Sequence, residues 1–138
     1  MGRVDRIRPA GPPDCPFCAS IEAGELLADG GLAVAIGDRF PLNPGHCLVI
    51  SRRHVADFFD LEAEEQGAVL ALVAEMRAVL SSRHHFDGLN VGLNVGAAGG
   101  QTIEHAHWHV IPRYRGDVPD PRGGIRWVVP DRAAYWDR

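Results

Sequence analysis

The chain is 138 residues long, 46% hydrophobic and carries a net charge of −4 at pH 7, which suits one domain with a genuine core. The negative balance excludes the basic footprint that non-specific nucleic-acid binding requires, and 14 cationic residues that are all Arg exclude the P-loop lysine, lysine Schiff bases and lysine-adenylate chemistry. No apolar run approaches the ~18 residues of a membrane span, and the first residues lack a signal-peptide core, so a cytoplasmic protein without a membrane partner is expected.

Residues 1–14, with Arg3, Arg6, Arg8 and Pro9, Pro12 and Pro13, read as an extended arm. Residues 15–24 hold one short helical turn. Apolar runs at 26–27 and 32–36 flank Asp29-Gly30-Gly31, a turn signal that predicts a β-hairpin. Pro41 and Pro44 make 38–45 a loop, and 46–50 reads as a buried strand. A long helix is predicted over about 61–83, with Asp60 as N-cap and Glu62, Glu64 and Glu65 at the positive end of its dipole. Val69, Leu72, Val73, Met76 and Leu80 follow the 3.6 period on its apolar face. Two more strands, 89–95 and 103–111, surround a glycine-rich connection at 96–101. The folded domain should span 15–117. The tail, 118–138, is rich in Pro, Gly and Arg, with Trp127, Tyr135 and Trp136 as points that dock on the domain or on a partner subunit. The fold class is α+β, an antiparallel meander sheet with one long helix and a short N-terminal one.

Chemistry concentrates at His105-Ala-His107-Trp-His109. On a strand, alternate side chains share a face roughly 6.6–6.8 Å apart, so the three imidazoles should be co-facial while Ala106, Trp108 and Val110 face the core. A row of this kind admits three readings: coincidence on a solvated face, a catalytic zinc held by three histidines, or nucleophilic attack by the central imidazole with its neighbours binding charged oxygens. The segment from Asn94 through Gly100, Gln101 and Thr102 leads directly into it, and supplies glycine backbone N–H groups and neutral donors suited to phosphate. That neighbourhood favours the nucleophilic reading. Cys15-Pro-Phe-Cys18, in a chain without a secretion signal, suggests metal or redox work, or else two buried thiols. Cys47 reads as core, His46 as a loop–strand junction, His84 and His85 as helix-end groups, and Trp108 as packing. Arg113 and Arg115 read equally well as polyphosphate contacts or as surface.

The run from His105 to Ile111 has the form His-φ-His-φ-His-φ-φ and resembles the histidine triad (HIT) family of nucleotide hydrolases and transferases. Asp38, the segment Pro44-Gly45-His46 through His54, Gly99 to Thr102, and Pro112-Arg113 match the family's flanking patterns. The resemblance implies a HIT-like fold and a nucleotidyl-histidine intermediate on His107, with His109 on the transferred phosphate. It implies phosphate-binding amides at Gln101 and Asn94, Thr102 beside the leaving group, Gly100 among the nucleotide-binding residues, Asp38 on the ribose hydroxyls, and Ile36 against a purine base. It also implies a structural zinc held by Cys15, Cys18, His54 and His105, no catalytic metal, and a homodimer. The expected activity is cleavage at the α-phosphate of a purine nucleotide conjugate, such as a dinucleoside polyphosphate or a phosphoramidate. The alternatives are a zinc-dependent hydrolase using all three histidines, or a non-catalytic nucleotide-binding module.

Overall fold

A computed structural model of the chain describes residues 11–138; the expectation of an extended arm falls mostly on residues outside them. Residues 11–14 do not extend away from the domain. The Cys15 amide donates to the Pro12 carbonyl at 3.1 Å, and Gly11 lies against the ring of His54 and the thiol of Cys18.

Helix α1, Pro16–Ala23, is longer than the single turn expected. Cys15 is its N-cap, Pro16 needs no N–H donor at the first position, and Gly24 ends it in the left-handed conformation at φ 70°. It buries Phe17, Cys18 and Ile21. The hairpin forms from β1, Ala28–Asp29, and β2, Ala33–Gly37, so its first strand starts later than the apolar pair at 26–27. Gly31, at φ 81°, makes the turn, and its amide donates to the Asp29 carboxylate at 2.9 Å. Strand β3 is Cys47–Ser51.

Helix α2 runs Ala63–Ser81, and its N-cap is Glu62, not Asp60. Asp60 belongs instead to a 3₁₀ turn, Phe58–Asp60, that sinks Phe58 into the core. The helix can start only after Leu61, where the Glu65 carboxylate accepts the Glu62 amide at 3.0 Å and holds Arg53 through two hydrogen bonds of 2.7 and 3.0 Å. Strand β4 is Gly88–Leu93 and β5 is His107–Arg113. The tail adds a 3₁₀ turn at Gly124–Val128 and a short helix, α3, Pro130–Ala133.

The five strands form one antiparallel sheet in the order β1-β2-β3-β5-β4. The meander order breaks once, because the chain leaves β3 through α2, lays β4 at the edge, and returns with β5 between them. Both faces of β2 and β3 are covered, which explains why they read as continuous apolar runs rather than alternating ones. Ala33, Ala35, Cys47 and Val49 pack with Leu72, Met76 and Val110 on the α2 side. Val34, Ile36, Leu48 and Ile50 pack with Phe17 and Ile21 on the α1 side. Residues directly opposite on paired strands share a face. Leu48 stands opposite His109 and Ile50 opposite His107, so both histidines emerge on the α1 face. Trp108 stands opposite Val49 and packs edge-on against Phe58 beneath α2, as expected for a packing residue.

Candidate active site and metal centre

Strand β5 begins at His107, four residues later than the predicted start at 103. Only His107 and His109 follow the strand alternation. His105 sits in the bend before it, fully buried, with the Ala106 amide donating to the Val55 carbonyl at 2.7 Å. Its ring turns to the start of α1. Nε2 donates to the Ser51 carbonyl at 2.6 Å, leaving the Nδ1 lone pair facing Cys15 Sγ at 3.5 Å, Cys18 Sγ at 3.6 Å and His54 Nδ1 at 3.2 Å. Cys18 Sγ lies 3.4 Å from His54 Nδ1. The four donor atoms all fall within 4.8 Å of one another.

The spacing and chemistry of this set fit a tetrahedral metal. Zinc bonded at about 2.3 Å to sulfur and about 2.0–2.1 Å to nitrogen places its donors about 3.3 Å apart for N to N and about 3.6 Å for S to N. Two thiols and two imidazole nitrogens that converge on one point, the nitrogens 3.2 Å apart, are the donor set such a cation takes. Burial and the adjoining Cys15 thiol push Cys18 up to about 12, so a nearby positive charge is what would let it act as a thiolate. The cysteines converge because they occupy the N-cap and third helical position of one turn. A β-carbon at Gly11 would come within 2.5 Å of the His54 ring and 2.6 Å of Cys18 Sγ, so glycine is the residue that lets the chain cross this cluster.

His105 also fixes its neighbour's tautomer. The His107 Nδ1–H donates to the His105 carbonyl at 2.7 Å, which leaves the Nε2 lone pair directed away from the backbone. Burial lowers the His107 pKa, opposed by that hydrogen bond and by Asp38, so the ring is neutral at pH 7 and able to act as a nucleophile. A cleft of about 340 Å³ opens over it, with apolar walls from Phe17, Ile36, Leu48 and Ile103 and polar groups from Asp38, Asn94, Thr102 and His109. A few polar groups in an otherwise apolar concavity are typical of a small-molecule site.

Of the residues expected around a nucleotide, Ile36, Asp38, Asn94, Gly100, Thr102, His107 and His109 line this one cleft. Gln101 does not. Its side chain accepts the Gly96 amide at 2.9 Å and donates to the Ala56 and Ile103 carbonyls at 2.8 and 3.0 Å, bracing the loop rather than facing the cleft. The backbone amides of Gly99, Gly100 and Gln101 likewise close turns within the loop instead of forming an open phosphate cradle. Sequence reasoning missed Phe17, Leu48 and Ile103 as cleft walls. The β2–β3 register carried a signal for Leu48, since it pairs with Ile36.

It also missed His46. His46 Nε2 lies 2.9 Å from His109 Nδ1 and 3.3 Å from the Asp38 carboxylate, and the three residues are near enough to suggest a second metal cluster. The tautomer argues otherwise. The Leu42 backbone amide donates to His46 Nδ1 at 3.0 Å, whereas a metal-bound histidine donates its second ring N–H outward. His46 therefore carries its proton on Nε2 and gives it to His109 Nδ1, with Asp38 alongside. His109 then presents Nε2–H as a donor. Desolvation lowers the pKa of both rings, with Asp38 acting in the opposite direction. Histidines 105, 107 and 109 do not converge as one ligand set; among the described residues the candidate sets are Cys15/Cys18/His54/His105 and Asp38/His46/His109.

Comparison with known proteins agrees with this geometry. The HIT domain family model matches residues 23–116. An AP-4-A phosphorylase of Mycobacterium tuberculosis is 39% identical over 100 residues, 72% of this chain and 51% of that protein, so the chain spans about half the length of that relative. The uncharacterized HIT-like protein Rv1262c of the same organism is 36% identical over 126 residues, 87% of this chain and 86% of its own. Among solved structures, a Zn-bound histidine triad family protein from Mycobacterium smegmatis superposes with a TM-score of 0.68 at 33% identity, covering 78% of this chain and 84% of that one. A HIT family protein from Bacillus anthracis gives 0.71 at 28% identity, covering 78% of each chain. With its sheet, its paired histidines on β5 and the cysteine–histidine cluster behind them, this chain belongs to the HIT family.

Proposed function

We propose that the protein is a nucleotide hydrolase or nucleotidyl transferase acting at the α-phosphate of a purine nucleotide conjugate through a covalent intermediate on His107. One observation carries the reading: a neutral imidazole whose Nδ1–H is tied to the His105 carbonyl, with Nε2 open to a nucleoside-sized cleft and the His109 donor beside it. The base lies between Phe17, Ile36 and Leu48, and Asp38 takes the ribose hydroxyls. Asn94 and Thr102 contact phosphate oxygens, and Gln101 holds the loop that carries them. His107 Nε2 bonds to phosphorus as the leaving group departs, and water then releases the nucleoside monophosphate. The His109 Nε2–H stabilises the charge that develops on the phosphoryl oxygens.

Cys15, Cys18, His54 and His105 would hold a structural zinc, whose chemistry is to fix the His105 backbone and the start of α1 as a closed four-ligand site. The likeness to an AP-4-A phosphorylase and to a zinc-bound relative supports both parts of the reading. We place the protein in the cytoplasm and expect a homodimer.

Quenching the protein with acid-sensitive handling after exposure to a labelled adenylated substrate should trap one nucleotidyl adduct per site. His107→Ala should trap none and lose at least about 1000-fold in kcat, the scale at which nucleophile removal acts. Equal turnover by His107→Ala would rule the mechanism out.

A further inference from the structure

Arg113 closes the histidine strand, and the sequence alone left a polyphosphate contact and a solvated surface equally open for it. The structure gives it a different task. Its Nε and Nη2 donate to the two carboxylate oxygens of Asp117 at 2.7 and 2.8 Å, and Nη1 donates to the Asn90 side chain on β4 at 2.5 Å. The Arg113 and Asp117 side chains are only 24% and 13% exposed, so this bidentate clasp is sheltered enough to hold one geometry. The hydrogen bonds from Arg113 keep the Asp117 carboxyl well below the usual carboxylate range, and it stays an acceptor. Its Oδ2 also accepts the Tyr114 amide at 3.1 Å and the Asn43 side-chain amide at 2.8 Å.

Asn43 carries that anchorage into the loop 38–45. Its side chain donates as well to the Pro112 carbonyl at 3.0 Å, and the Tyr114 hydroxyl donates to the Pro44 carbonyl at 2.8 Å. Among the described residues, these are the hydrogen bonds that tie the loop to a segment beyond its own flanks. Arg39 to Leu42 are exposed, so burial does not fix them. Leu42, next to Asn43, is the residue whose amide donates to His46 Nδ1 at 3.0 Å, and the Asn43 carbonyl accepts the His46 amide at 3.1 Å. Asp38 is held separately. Its own amide donates to the His46 carbonyl at 3.1 Å, just where β2 ends.

We infer that Asp117 and Asn43 are positioning residues for the histidine site: the Arg113-held carboxylate fixes Asn43, and Asn43 keeps the Leu42 amide on His46 so that His109 retains its Nε2–H. With Nδ1 occupied as an acceptor, His46 carries its proton on Nε2 and gives it to His109 Nδ1, 2.9 Å away. If the Leu42 amide moves off, His46 loses the donor that defines its tautomer, and both rings can exchange. His109 then offers a lone pair where the proposed mechanism needs a donor. The effect on turnover rests on that mechanism; the effect on the rings does not.

Heteronuclear NMR of labelled histidine reads the tautomers directly, and thermal midpoints check folding. In the wild type, His46 and His109 should both carry hydrogen on Nε2 and none on Nδ1. Asn43→Asp keeps the shape of the side chain but sets a second carboxylate against Asp117, and it should populate the other tautomer of both rings. Its kcat for an adenylated substrate should fall about 10-fold, the lower end for loss of a supporting group, with KM little changed because Asp38 keeps its own anchor. The exchanged pair, Asn43→Asp/Asp117→Asn, again sets a donor against an acceptor and should move both spectrum and kcat back toward the wild type. Should Asn43→Asp fail to fold, Asn43→Ala removes the same bonds without adding charge and gives the same reading. In a His46→Ala background, Asn43→Ala should cost no further activity, since it acts through His46. Unmoved tautomers in a folded Asn43 variant overturn the inference. So does a shift that the exchanged pair leaves in place, or full activity in a variant whose tautomers have moved. A wild type that turns over no adenylated substrate sinks the proposed function instead, and the spectra still decide the clasp.

Discussion

At the scale of single residues, the site depends on which ring nitrogen holds a proton. Two hydrogen bonds decide it: His107 Nδ1 to the His105 carbonyl at 2.7 Å, and the Leu42 amide to His46 Nδ1 at 3.0 Å. On the proposed mechanism His46 is a positioning residue, since it would act on the phosphate only through His109. Replacing it with Ala leaves the His109 Nδ1 lone pair without its partner and frees the ring to flip tautomer, so kcat should fall about 10- to 100-fold, the usual cost of removing a supporting partner. His46→Gln, which can still offer an N–H, should recover part of the loss. The titration of His109 gives a second readout. Its pKa is lowered by desolvation first and then by the charges of His107 and His46, so the ring stays neutral until the pH drops below 6.5. Removing His46 takes away one lowering influence, and the His109 ring resonances should titrate at higher pH in NMR. A loss of kcat with no movement of that titration and no rescue by Gln would reduce His46 to a packing role.

At the scale of elements, the sheet–helix division of labour predicts separable effects. Leu72 and Met76 on α2 pack against the sheet face opposite the histidines. Leu72→Ala should cost about 2–5 kcal/mol in chemical denaturation, the range for a buried leucine, with KM nearly unchanged in the protein that remains folded. A large rise in KM at full folding would show that the two faces are coupled. The same division explains what could be read in advance. The apolar period of α2 was legible because Val69, Leu72, Met76 and Leu80 repeat on one face; its start was not, because Asp60 is an equally good cap on local chemistry. What moved the start was long-range: burial of Phe58 and Leu61, and the Arg53–Glu65 pair. The run 103–111 looked extended throughout because alternation cannot show that His105 is pulled from the strand by cysteines 87 and 90 residues away. His46 stayed hidden for a related reason: a histidine opening a strand looks ordinary until the register sets Leu48 opposite His109.

For the molecule as a whole, the cysteine–histidine cluster ties together the segment at Gly11, the start of α1, the turn carrying His54, and the entry to β5. Stability and activity should therefore respond together to the metal. The protein as isolated should contain about one zinc per chain, and Cys18→Ser should contain much less. A ligand that binds only the folded chain stabilises it by about 4 kcal/mol when present at 1000 times its dissociation constant. Chelation should accordingly lower the thermal midpoint, and zinc should restore it. The effect on catalysis is indirect and has its own signature. Loss of the cluster loosens the His105 carbonyl that orients His107, so kcat should drop while KM, which on the proposed reading is set largely by Ile36 and Leu48 on other strands and by Asp38 just after β2, changes less. A metal bound directly by the reacting histidines predicts the opposite spectroscopic result: cobalt substituted into the site would shift its absorption when a nucleotide binds. A thiolate-rich cobalt spectrum, insensitive to nucleotide and absent in Cys18→Ser, is the outcome expected from the four residues that converge here.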